Sequence, residues 1–131
     1  MDTKVQYWTD LADYDLEAAK VMLKGKMFLY VGFMCHQVIE KTLKGYYVYS
    51  LSVTPPTIHN LLKLATDSGL YDLLSDDQKK LLGQLMPLNI QTRYPTEKER
   101  ILKSLSYEKC RDLIVKTKEL SLWIKARLST E

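Results

Sequence analysis

Two clusters in the sequence carry side chains able to do chemistry. The first is the run Cys35-His36-Gln37-Val38-Ile39-Glu40-Lys41-Thr42-Leu43-Lys44. Spacings of three and four set His36, Gln37, Glu40, Lys41 and Lys44 along one polar side of a helix. His36 and Glu40 lie one turn apart, so the carboxylate can orient the imidazole and raise its pKa. Lys41 and Lys44 can receive phosphate or neutralise Glu40. The same spacing equally describes a solvated face tied by pairs one turn apart. The second cluster is Arg93-Tyr94-Pro95, within the stretch Asn89-Ile90-Gln91-Thr92-Arg93-Tyr94-Pro95-Thr96. Arg93 offers a planar fork of donors suited to phosphate, Tyr94 a ring for stacking and Pro95 a stiff turn. Together they make an anion or nucleotide contact.

Two further residues bear on these clusters. Asp15 falls on an apolar stripe between Ala12 and Ala19. A buried carboxylate is costly unless paired, so it meets a Lys or His of the next helix or turns to water at the stripe's rim. His59 is expected to be neutral and hydrogen-bonded to a neighbouring helix. With two histidines and no cluster at ligand spacing, neither a metal site nor a cofactor is expected. Cys35 beside His36 makes no nucleophile–base pair, because adjacent helical side chains point roughly 100° apart. Cys35 and Cys110 read instead as two buried free thiols.

The elements that must hold these residues follow from periodicity. A first helix runs from about Thr3 to Lys24, with Trp8, Leu11, Ala12, Asp15, Ala19, Met22 and Leu23 on one stripe. Asp2 or Thr3 caps its start and Gly25 suits its end. The second runs from about Phe28 to Ser50 with no early breaker. Pro55-Pro56 enforces a loop. A short helix follows over Ile58–Ser68, closed by Gly69. A fourth opens on the capping box Ser75-Asp76-Asp77-Gln78 and kinks or ends at Pro87. The polar stretch Asn89–Lys103, interrupted by Pro95, reads as a loop of functional length. A last helix spans about Ser106 to Leu128. The expectation is an all-α chain, a five-helix up-and-down antiparallel bundle forming a single domain over 1–131.

Bulk properties narrow the function. At 131 residues and 15.2 kDa the chain is long enough for one core without disulfides or metal. Nineteen basic and 16 acidic residues leave a net charge of +3, which permits phosphate contact but argues against binding duplex DNA. No apolar run is long enough to span a membrane, and Met1-Asp2-Thr3-Lys4 does not open a signal peptide. A cytoplasmic protein is expected. Nine tyrosines stand against two phenylalanines, and Tyr46, Tyr47 and Tyr49 crowd the end of the second helix, where amphipathic rings suit a protein interface.

At these residues the sequence resembles the HEPN domain family, named for nucleotide binding in higher eukaryotes and prokaryotes. The matching elements are Trp8 with Ala12, Asp15-Leu16 and Ala19; His36-Gln37 with Glu40-Lys41 and Lys44; Pro55-Pro56 before His59-Asn60-Leu61; and Arg93-Tyr94-Pro95 before the last helix. They cover nearly the whole chain in the family's order. The resemblance implies a five-helix bundle that commonly homodimerises, often encoded beside a minimal nucleotidyltransferase in a toxin–antitoxin or defence pair. Ribonuclease members of the family carry Arg followed four to six residues later by His. Here Arg93 is followed by Tyr94, Pro95, Thr96, Glu97, Lys98, Glu99 and Arg100, with no His. The proton carrier of that mechanism is missing. The chain looks like the Arg-Tyr-Pro branch, for which nucleotide binding (ATP, GTP or AMP) or partnership with a nucleotidyltransferase is implied. Two alternatives stay open: a ribonuclease toxin using His36 with Arg93, and a purely structural interaction module that docks through its tyrosines.

Overall fold

The computed structural model describes residues 2–128; the expected domain's outermost positions, Met1 and 129–131, lie outside the described residues. Among the described residues six α-helices are present, not five: α1 (Thr3–Lys24), α2 (Phe28–Leu51), α3 (Leu61–Asp67), α4 (Asp76–Leu85), α5 (Pro95–Lys103) and α6 (Tyr107–Lys125). No strand occurs among the described residues.

Local chemistry accounts for most of the boundaries. Asp2 caps α1 by accepting from the Lys4 amide at 2.7 Å, and Asn60 caps α3 through the Lys63 amide at 3.0 Å. Ser75 and Gln78 close both halves of the capping box on α4. The turn after α1 takes its left-handed residue at Lys26 (φ 59°), one position beyond the expected Gly25. The third helix starts three residues later than periodicity suggests, because Pro55-Pro56 and the Asn60 cap hold 52–60 out of helical register.

The main correction concerns Asn89–Lys103, expected as a loop. It folds as a 3₁₀ turn at Ile90–Thr92 followed by the nine-residue α5. Pro95 is the first residue of that helix, where a missing N–H costs nothing and a fixed φ is already helical. The proline that reads as a breaker is a starter.

α2 is the axis of the molecule. α1 lies antiparallel to it: Trp8 approaches Lys44 and Gly45, while Asp15 reaches Lys41. α6 lies parallel to it, with the Cys110 thiol 3.8 Å from the Phe28 carbonyl and the Thr42 and Ser121 hydroxyls 2.9 Å apart. Packed from several sides, α2 buries Val31, Cys35, Val38, Ile39 and Leu43 completely. Both cysteines are buried free thiols. Burial raises the pKa of each, that of Cys35 up to about 12, so neither is a ready nucleophile. None of the described helices is long and apolar enough to cross a membrane.

Candidate functional site

The polar residues of α2 do not form a solvated face. His36 is fully buried, and Glu40 and Lys44 are nearly so. Their burial is tolerated because the charges are paired. Glu40 Oε2 accepts from Lys44 Nζ at 3.0 Å, and Oε1 lies 3.0 Å from His59 Nδ1 and 3.8 Å from His36 Nδ1. The Lys44 ammonium also sits 5.5 Å from the centre of the Trp8 ring, within cation–π range. Glu40 is therefore the hub of a buried network, with the half-exposed His59 as its outlet to solvent.

Burial holds the His36 imidazole neutral, lowering its pKa to about 4. The Glu40 carboxylate and the His59 backbone pull the other way, and the Arg93 guanidinium adds slightly to the lowering. Gln37 Nε2 lies 3.3 Å from His36 Nδ1, and the other ring nitrogen, Nε2, is buried with no hydrogen-bond partner of normal geometry. Lys41, half-buried, is held by an ion pair with Asp15. The odd carboxylate of the first helix thus meets a lysine of the second, one of the two placements its position on the stripe allows.

Arg93 belongs to a different place. It lines a cavity of about 330 Å³ with Pro87, Glu97, Arg100, Ile101 and Ser104. Its Nη1 reaches Glu97 Oε2 at 3.3 Å, a long single contact, and its Nε is buried without a partner. Tyr94 is 75% exposed, free to stack on something outside the chain. Pro95 only starts the helix.

The residues singled out from sequence thus separate into three groups. His36, Gln37, Glu40 and Lys44 form the buried column, Asp15 and Lys41 a rim ion pair, and Arg93 with Tyr94 an open edge. Neither lysine ammonium lines the cavity that Arg93 lines. Two participants carried no spacing signal: His59, which reaches Glu40 across a loop, and Arg100, which joins Arg93 through the unexpected helix α5. Of the three crowded tyrosines, Tyr46 is buried, Tyr47 half-buried and Tyr49 exposed. Among the described residues no group of three His, Cys, Asp or Glu side chains is placed to hold a metal ion.

Comparison with known proteins adds the fold's relatives. A crystal structure of TT1696 from Thermus thermophilus superposes with a TM-score of 0.80, covering 95% of this chain and 98% of that one at 18% sequence identity. At that identity the likeness speaks for the fold alone. No curated protein matches the sequence. The HEPN domain matches residues 5–127, nearly the whole chain. The chain belongs to the HEPN domain family.

Proposed function

We propose that this chain is a non-catalytic HEPN module that binds a nucleotide and docks on a nucleotidyltransferase partner, as a homodimer within a toxin–antitoxin or defence pair. The observation that carries the reading is the contrast between His36 and Arg93. The imidazole is sealed and neutral, whereas the guanidinium is accessible and only loosely held by Glu97. A reachable cation and a stacking ring, with the His36 imidazole sealed away from them, suit binding better than turnover. Arg93 meets phosphate and Tyr94 meets the base or the partner. Gln37, Glu40, Lys44, Lys41 and Asp15 act as the frame behind them.

Two or three charge-assisted contacts plus one stacked ring, less the cost of association, give roughly micromolar or weaker affinity. Calorimetry with ATP, GTP and AMP tests this, and Arg93→Ala is expected to weaken binding about tenfold. Absence of heat and of any thermal shift at millimolar nucleotide would remove the nucleotide half of the reading.

The ribonuclease alternative loses its first choice of base, since RNA cannot touch His36 without opening the packing of α2. The exposed imidazole is that of His59, oriented by Glu40. RNA left equally intact by wild type, His36→Ala and His59→Ala ends that alternative.

A further inference from the structure

The cavity beside Arg93 holds a second guanidinium that the Arg-Tyr-Pro motif does not include. Arg93, Glu97, Arg100 and Ser104 recur at spacings of four, three and four, along one side of α5 and its approach. Pro87 and Ile101 supply the apolar wall. The Ser104 hydroxyl donates to the Ile101 carbonyl at 2.6 Å, so it is not a free donor. At the same end the Lys109 ammonium lies 3.3 Å from the Ser104 carbonyl. The cavity is thus lined by two guanidinium groups and one carboxylate, with an ammonium at its far margin.

The state of each charge indicates what the cavity lacks. Arg100 is exposed and has no carboxylate within ion-pair distance among the described residues. Arg93 has one long contact to Glu97 and an unpartnered, buried Nε. Glu97 therefore occupies Arg93 only weakly, and nothing occupies Arg100. A lone carboxylate ligand would merely exchange for Glu97. A ligand with several linked negative groups can take Arg93 from Glu97 and reach Arg100 as well. Arg93 stands in extended backbone just before α5 and Arg100 lies within that helix, so the two side chains line the cavity from different segments. A chain of two or three phosphates offers each of them its own charged group.

We propose that this cavity takes the di- or triphosphate tail of a nucleotide, with Arg93 and Arg100 gripping successive phosphates and Glu97 as a built-in competitor. This rests on the nucleotide reading and sharpens it. The site prefers ATP or GTP to AMP, and it has affinity for inorganic tripolyphosphate alone. Lys109 adds attraction at the far margin without a direct contact.

Titration calorimetry with ATP, AMP, adenosine and tripolyphosphate tests the proposal on wild type, Arg93→Ala, Arg100→Ala and Glu97→Gln. Circular dichroism confirms that each variant is folded. ATP is expected to bind at least about tenfold more tightly than AMP, and each arginine variant to lose about tenfold for both ATP and tripolyphosphate. Glu97→Gln is expected to gain up to about fivefold, because the rival carboxylate is gone. Unchanged ATP binding in Arg100→Ala, or AMP binding as tightly as ATP, overturns the proposal and leaves nucleotide binding by Arg93 intact. Tripolyphosphate bound through both arginines as tightly as ATP upholds the phosphate site but removes recognition of a nucleotide. No binding of ATP or tripolyphosphate at millimolar concentration overturns both.

Discussion

The His36 imidazole is a buried base that the fold keeps unprotonated, and that has a cost as pH falls. Its pKa is about 4 in the folded chain against 6.5 for an unperturbed imidazole. Above pH 6.5 both folded and unfolded chains leave the ring neutral, and the depressed pKa costs nothing. Between about 6.5 and 4 the unfolded chain gains a proton that the folded chain refuses, so stability drops as pH falls through that window. The full shift corresponds to roughly 3 kcal/mol at most. Denaturant unfolding of wild type and His36→Gln at about pH 7, 5.5 and 4.5, running from above that window well into it, checks this. The variant starts from lower or equal stability but is expected to lose less on acidification. Parallel pH profiles for the two proteins would mean that the acid sensitivity lies elsewhere. Glu40 is accommodated by contacts instead, with a partner on each oxygen, Lys44 on one and His59 on the other.

Helix α2 exerts this control because other helices surround it, and one glycine lets the nearest approach. A Cβ built on Gly45 would sit 3.3 Å from the Trp8 Cβ and 3.5 Å from Thr9 Cγ2, so α1 passes close against α2 there. Gly45→Ala is expected to be nearly neutral, because about 1 kcal/mol of helix propensity offsets the tight contact. Gly45→Val adds branches that Trp8 cannot avoid and is expected to cost about 1–3 kcal/mol in urea unfolding. Equal stability of the two variants would show that the helices separate without penalty. The same crowding explains what the sequence conceals. The capping box at Ser75, the Pro55-Pro56 loop and the limits of α1 are legible because each depends on local chemistry. The spacing of His36, Glu40 and Lys44 is legible too, but not its burial, since a polar stripe reads the same against water or against a second polar shell. What would have hinted at burial is the apolar character of the remaining faces of α2, with glycines at 32 and 45. Pro95 misleads for the opposite reason: a proline marks a helix's first turn or its end equally well, and α5 has no buried residue to give it an apolar period.

On the scale of the whole molecule, cohesion is unevenly distributed, and the candidate site lies where it is weakest. α1, α2 and α6 share the deepest core, whereas α5 contributes only half-buried side chains such as Ile101 and Glu97. Segments with few buried apolar contacts open locally at far less than the global free energy. Amide hydrogens of 95–103 are therefore expected to exchange well before those in the middle of α2, which exchange only when the whole chain unfolds. A ligand spanning Arg93 and Arg100 ties both ends of α5 and lowers its opening rate. Hydrogen exchange with and without millimolar ATP is expected to show added protection over 93–104 and none around Lys41 and Lys44, whose ammonium groups are already engaged by Asp15 and Glu40. Protection appearing on α2 instead, with α5 unchanged, would move the ligand to the lysine side of the molecule and leave Arg93 as a tether for Glu97.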